Sequence, residues 1–184
     1  MPVLSRTSLT VSPGRRALAG LAVVCTVVAA MLTGVHPASA ATVVTCAGTQ
    51  NISYSPGLTN TPRSVTAQGT NNLGPCVVPN TDITAGTITF GSTGDYSCQG
   101  LLASTQEVNV VHWSDGSTST LQVTRTATKV NGQLINTFTG SVTSGTFHGA
   151  SVVWTITNLT LSLLACETQE GLTSLTGVDV FTLV

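Results

Sequence analysis

Thr118-Ser119-Thr120-Leu121-Gln122-Val123-Thr124-Arg125-Thr126-Ala127-Thr128-Lys129-Val130 alternates between two kinds of side chain along nearly its whole length. Thr118, Thr120, Gln122, Thr124, Thr126 and Thr128 form one set, and Leu121, Val123, Arg125 and Ala127 form the other. A period of two sends successive side chains to opposite faces of an extended chain, so this segment reads as a β-strand with a wet face and an inward face. Threonine suits the wet face, because its β-branch fits the pleat while its hydroxyl meets water.

Turn signals bracket that strand. Asp115-Gly116 follows residues 107–113, Asn131-Gly132 follows residues 118–130, and Ser144-Gly145 follows residues 134–143. Asp-Gly and Asn-Gly favour two-residue hairpins, whose central positions take positive φ, so the second half is expected as an antiparallel meander. In residues 134–143, Leu134, Phe138 and Val142 share one face, opposed by Ile135, Thr137, Thr139, Ser141 and Thr143. Residues 146–164 read as one strand with Val152, Trp154 and Ile156 on one face and Leu159, Leu161 and Leu163 on the other. Such a change of phase predicts a bulge or bend near Asn158. Residues 171–177 read as turn-rich, and residues 178–184 as a last strand.

The first half reads as more loop-like. Residues 43–54 form a strand, Tyr54-Ser55-Pro56-Gly57 a turn, residues 64–68 a short strand, and residues 71–81 a loop holding Cys76. Residues 84–90 and 94–99 are expected as a further pair of short strands. Helix-favouring Glu, Lys, Arg and Met are scarce, while Val, Ile, Leu, Phe and Trp recur throughout, which argues against a disordered Ser/Thr stalk. Eight or nine strands without a helix predict a single all-β antiparallel domain over residues 41–184, either an up-and-down β-barrel or a β-sandwich. The long strands of the meander favour the barrel.

Residues 1–40 read as a cleaved signal peptide. Arg6, Arg15 and Arg16 precede an apolar run from Ala17 to Leu32, and Ala38-Ser39-Ala40 supplies the small residues that signal peptidase needs. Cys25 lies in the apolar run without the small residue that a lipoprotein signal places before its cysteine, and is expected to leave with the signal. Arg15-Arg16 is a poor match to a twin-arginine signal, so the general secretory route is favoured. The destination is extracellular and oxidising. Cys46, Cys76, Cys98 and Cys166 therefore read as two disulfides rather than metal ligands or nucleophiles. Of the three possible pairings, Cys46 with Cys76 and Cys98 with Cys166 is favoured, each tying a strand to a later part of the chain.

Beyond Ala40 the chain carries Arg63, Arg125 and Lys129 against seven Asp and Glu residues. Phosphate backbones and anionic membrane surfaces are bound through many Lys and Arg contacts, so neither nucleic acid nor a membrane is expected as a partner.

Thr45-Cys46-Ala47-Gly48-Thr49, Tyr54-Ser55-Pro56-Gly57-Leu58, Gly74-Pro75-Cys76, Tyr96-Ser97-Cys98, Trp113-Ser114-Asp115-Gly116, residues 140–149 and Ala165-Cys166 give the mature part another kind of signature. On these segments the chain resembles a family of small secreted actinobacterial β-proteins with four cysteines. The resemblance implies location and fold, and it carries no activity.

No Gly-x-Ser-x-Gly elbow occurs, and the mature part has two histidines. His112 precedes Trp113 at a strand end, and His148 lies in Thr146-Phe147-His148-Gly149; together with Asp115 they could form a catalytic or metal cluster if adjacent strands bring them together. Glu167 and Glu170 could serve as paired glycosidase carboxylates, although one solvated loop is the simpler reading. Arg125 falls on an otherwise apolar face, where a guanidinium either finds Glu107 or Asp95 as a partner in a pocket or reaches out to water. Trp113 is the aromatic expected at a surface, where it could stack on a sugar, while Trp154 is expected in the core. The expected product is a secreted, non-catalytic binding or surface-interaction module without metal or cofactor, its ligand a polysaccharide or a protein. The alternatives are a small hydrolase of extracellular polymers using His112, His148, Asp115, Glu167 and Glu170, or a secreted inhibitor or toxin-like effector.

Overall fold

Val44–Leu58, Arg63–Val77, Gly86–Tyr96, Thr105–Trp113, Thr118–Val130, Gln133–Gly145, Ser151–Asn158 and Leu172–Leu183 are the strands β1 to β8 of the structure, a computed structural model describing residues 44–158 and 164–184. Each pairs antiparallel with the next, and β8 pairs with β1, so the sheet closes into an up-and-down barrel of eight strands. Closure removes the edges that an open sheet would leave exposed. The signal-peptide reading of residues 1–40 lies outside the described residues.

The alternation of residues 118–130 survives intact in β5. Ser119, Leu121 and Val123 are buried, Arg125 and Ala127 half-buried, and the threonine face points outward. Asn131 and Gly132 take positive φ, 50° and 80°-range values being what a two-residue hairpin demands, here 50° and 81°. At Asp115-Gly116 the turn differs from expectation. Only Gly116 takes positive φ, its N–H donates to Trp113 O at 3.0 Å, and the Trp113 N–H donates to Ser117 O at 2.9 Å, which makes a three-residue loop. β6 runs on through Gly145, and the chain reverses over residues 146–149, with Phe147 and Gly149 at positive φ. The strand expected from Thr146 therefore begins at Ser151, and it buries Val152, Trp154 and Ile156. It ends at Asn158, and the predicted phase change with Leu159, Leu161 and Leu163 falls outside the described residues.

The largest correction concerns the first half. Tyr54-Ser55-Pro56-Gly57 is not a turn but the last part of β1, and residues 71–77 are not a loop but the continuation of β2. Residues 86–96 form one strand rather than two, and residues 172–177 belong to β8. Ladder pairing overrides local propensity here: Gln50 lies opposite Asn71, Thr49 opposite Asn72, and Gly48 opposite Leu73. Two glycines of β1 permit close approach. A Cβ on Gly48 would sit 2.6 Å from Asn72 O, and one on Gly57 would sit 2.6 Å from Glu170 O.

Both favoured disulfides form. Cys46–Cys76 joins residues opposite each other on β1 and β2, and Cys98–Cys166 joins two loops at the other end of the barrel. They mark a chain that matures in an oxidising environment. Among the described residues no helix is long and apolar enough to cross a membrane.

The interior holds two apolar clusters. One gathers Val44, Leu73, Ile88, Val111, Trp113, Leu121, Val142, Phe181 and Leu183 at one end. Trp113 meets Phe147 and Phe181 edge-on, with centroids 5.5 and 6.1 Å apart. The other gathers Tyr54, Leu58, Val65, Leu134, Leu172 and Leu175. Arg63 fastens this second end, donating from Nη2 to Glu170 O at 2.9 Å and from Nε to Gly57 O at 2.9 Å.

Candidate functional site

Between the two clusters every strand except β3 offers a polar side chain to the interior. Gln50 falls between Cys46 and Ile52 on β1, Asn71 between Ala67 and Leu73 on β2, and Asn109 precedes Val111 on β4. Arg125 falls between Val123 and Ala127, Asn136 between Leu134 and Phe138, Asn158 beyond Ile156, and Asp179 between Leu175 and Phe181. The carboxamides and Asp179 are all buried.

Half of this belt is hydrogen-bonded in a chain. Arg125 Nε donates to Glu107 Oε1 at 3.0 Å, and Arg125 Nη1 donates to Asn136 Oδ1 at 3.0 Å. Asn136 Nδ2 donates to Asn158 Oδ1 at 3.1 Å, and Asn158 Nδ2 donates to Gln50 Oε1 at 3.0 Å. Elsewhere in the belt both polar atoms of Asn71, Nδ2 of Asn109 and both oxygens of Asp179 make no hydrogen bond among the described residues, and neither does Nε1 of the adjoining Trp154. Buried polar groups are normally paired, so unpaired ones gathered in one place call for an explanation.

A cavity of about 670 Å³ opens beside Asn71, Asn109 and Trp154, on the side of the second cluster. The stacked rings of Phe138 and Trp154, 4.3 Å apart, contribute to its wall together with Tyr54 and Tyr96, and Gln50, Asn71, Asn109 and Asn136 reach it from the belt. The way in follows from the ladder. β3 and β4 pair only at Gly86 with Trp113, Thr87 with His112 and Ile88 with Val111. Below that point β3 stays with β2 as far as Tyr96, and β4 stays with β5 from Thr105, so the seam parts. Phe90, Ser92 and Tyr96 from one side and Thr105, Glu107 and Asn109 from the other line the cavity at this seam. The connection between the two strands includes the short 3₁₀ turn Gln99–Leu102, tied to the barrel by Arg125 Nη1 donating to Leu101 O at 3.0 Å. Phe90 lies over Gly69, where a Cβ would be 2.2 Å from its Cζ, so that glycine makes room for an aromatic ring at the mouth.

Burial sets the titration of two groups. It pushes the Tyr54 hydroxyl up to about 12, against the opposing pull of the nearby Arg125 guanidinium, so Tyr54 stays neutral. It pushes the Asp179 carboxyl from 3.8 up to about 7, with the Trp154 indole N–H acting in the other direction although no hydrogen bond of good geometry joins them.

The residues singled out by sequence fall in several places. Arg125 is drawn inward and pairs with Glu107, their side chains 16% and 34% exposed, while Asp95 is exposed on β3. Trp113 corrects the expectation of a surface aromatic: it is 4% exposed, and its indole N–H donates to Ser119 Oγ at 2.8 Å. His112 and His148 are exposed, on β4 and in the turn after β6. Asp115 is engaged in its own turn, its Oδ1 accepting from Ser117 N at 2.9 Å and Ser117 Oγ at 2.7 Å, and these bonds hold its carboxyl below the ordinary value. Glu167 and Glu170 are exposed near the Cys98–Cys166 bridge. Among the described residues no three His, Cys, Asp or Glu side chains group so as to hold a metal ion.

The belt of Gln50, Asn71, Asn109, Asn136, Asn158 and Asp179 was not legible as a site. Its one signal was phase: Asn136 and Asp179 keep the alternation of their apolar neighbours, as Arg125 does. A second depression, of about 690 Å³, lies on the outer wall across β1, β2, β3 and β8; it is open to solvent and lined mainly by hydroxyl and amide side chains such as Ser53, Gln68 and Thr89. Among the described residues none of its lining is charged, and the interior cavity with its Arg125–Glu107 pair is the better candidate.

Comparison with protein-family models, with curated proteins and with solved structures finds no match for this chain.

Proposed function

We propose that this is a secreted, non-catalytic binding protein that takes a small extracellular ligand into the barrel through the parted seam between β3 and β4. The observation that carries the reading is the cavity itself: about 670 Å³ of space, walled by aromatic rings and a few polar groups, inside a barrel whose other end is filled by side chains. Pockets of this size and lining are where proteins enclose small molecules. The lining supports binding over hydrolysis, since its charged residues, Arg125 and Glu107, neutralise each other. The histidines and Asp115, on which a hydrolase would draw, face solvent outside it. Export is supported by the signal-like residues 1–40 and by two disulfides. The resemblance to small secreted actinobacterial β-proteins agrees with that location.

Trp154 borders the cavity while Trp113 is packed at the far end, so intrinsic fluorescence reports occupancy. Titration of the exported protein with a small-molecule library is expected to give saturable quenching that Trp154→Phe abolishes. Replacing Ala103, which lines the mouth, with Trp is expected to weaken the same ligand. Ligands that bind equally well to the Ala103→Trp variant would place the site elsewhere and overturn the reading. N-terminal sequencing of the exported chain is expected to begin at Ala41.

A further inference from the structure

The unpaired half of the belt indicates what kind of molecule fits. Asn71 is wholly buried, and neither its Nδ2 nor its Oδ1 has a partner; Asn109 is 9% exposed, and its Nδ2 has none. Both side chains line the cavity. The contrast with their neighbours is sharp, because Gln50, Asn136 and Asn158 lie in the same belt and are tied into one chain of hydrogen bonds. Burying a polar group without a partner is costly, so two carboxamides left unpaired at the cavity wall, beside three that are satisfied, stand ready to pair with what the cavity holds once it is occupied.

Charge narrows the class. Arg125 already faces Glu107 at 3.0 Å, so an anion entering the cavity meets a carboxylate beside the one cation among the described lining residues, and a cation meets the guanidinium. A carboxamide offers a donor and an acceptor side by side, and its natural complement is an uncharged group that accepts and donates in the same way. The walls supply the rest: Phe90, Tyr54, Tyr96, Phe138 and Trp154 present ring surfaces that suit the flat or apolar face of a ring.

We infer that the cavity takes an uncharged ring compound that presents a hydrogen-bond donor next to an acceptor, and that Asn71 and Asn109 are the residues that read it. This chemistry has two sources, the edge of a cyclic amide and a neighbouring pair of sugar hydroxyls. The inference rests on the proposed binding function and specifies its ligand.

The test is calorimetric titration of the exported protein with four kinds of probe: glucose and maltose, uracil and 2-pyrrolidinone, glucuronate, and 1-octanol. Saturable binding of a sugar or of a cyclic amide, with no binding of glucuronate or octanol, is the expected result, and which of the two binds identifies the source. Asn71→Leu is expected to weaken that binding by about tenfold or more while raising the melting temperature of the free protein, because it deletes two buried unpaired groups. Asn109→Leu, the second variant, is expected to act in the same direction. A purely structural asparagine would lower the melting temperature when replaced.

Preference for glucuronate, or binding of octanol that Asn71→Leu leaves unchanged, would overturn the inference while leaving the cavity as a binding site. If no probe binds, and Asn71→Leu merely stabilises the protein, the two carboxamides hold ordered water and the inference falls. The binding function then falls as well if the small-molecule library also yields no Trp154-dependent ligand.

Discussion

The two ends of the barrel are built from the same eight strands, yet they solve different problems. At the end holding Trp113, Phe147, Phe181 and Leu183, neighbouring strands pair, rings meet edge-on, and the Cys46–Cys76 bridge lies within the ladder. At the end holding Tyr54, Leu134 and Leu175, the β3–β4 seam parts, a cavity opens, and closure depends on loops held by Cys98–Cys166 and by Arg63. The difference teaches where stability and function reside. A well-packed end lets the other tolerate unpaired polar groups and an incomplete ladder, because folding is cooperative while binding needs open space and unmet hydrogen bonds.

The strongest way to break this contrast is to hollow out the packed end. Phe181 is wholly buried between Trp113 and Trp154, so Phe181→Ala is expected to cost about 3–5 kcal/mol in chemical denaturation. A cost below about 1 kcal/mol would mean that this end is not the folding core.

A smaller effect is expected at the open end. Replacing both Cys98 and Cys166 with Ser releases a crosslink of sequence separation 68 and is expected to cost about 2–4 kcal/mol. Amide hydrogen exchange should then accelerate at residues 99–102 and 165–171 before it does in β5 and β6. Uniform acceleration around the barrel would show the two ends to be one cooperative unit.

Asp179 sharpens the comparison at the boundary, with the smallest effect. Burial raises its pKa from 3.8 to about 7, so over that interval the folded protein keeps a proton that the unfolded chain has released. Its contribution to stability is complete below pH 3.8 and declines as pH rises towards about 7. Asp179→Asn is expected to remove that decline: variant and parent should melt alike near pH 4, with the variant melting higher by a few degrees, roughly, near pH 7. Equal melting temperatures at both values would mean that the Asp179 carboxyl is ionised and paired in the folded state.

The second half of the fold was readable because its strands obey period two with few interruptions. Residues 118–130 coincide with β5, and Asn131-Gly132 makes the expected turn. The first half was misread for a physical reason. Pro56, Gly57, Gly74 and Pro75 resemble turn residues, and Asn71-Asn72 resembles a loop, since asparagine favours turns when nothing else holds it. Here β1 is held by β2 and β8 on either side, and β2 by β1 and β3, and these ladders carry both strands straight through those residues. Arg125 could be assigned to the inward face, but its partner could not: Glu107 and Asp95 were equal choices until pairing set Thr105 opposite Arg125 and brought Glu107 within 3.0 Å.

What one dimension of information settles in this protein is the alternation, the all-β class and the four cysteines fit for pairing, because each depends on residues near in sequence or on residue type alone. Closure of β8 onto β1, the parting of β3 from β4, and the gathering of Gln50, Asn71, Asn109, Asn136 and Asp179 into one belt belong to three dimensions. These depend on register between strands distant along the chain, and register is chosen by the packing of the whole interior rather than by any segment's own preference.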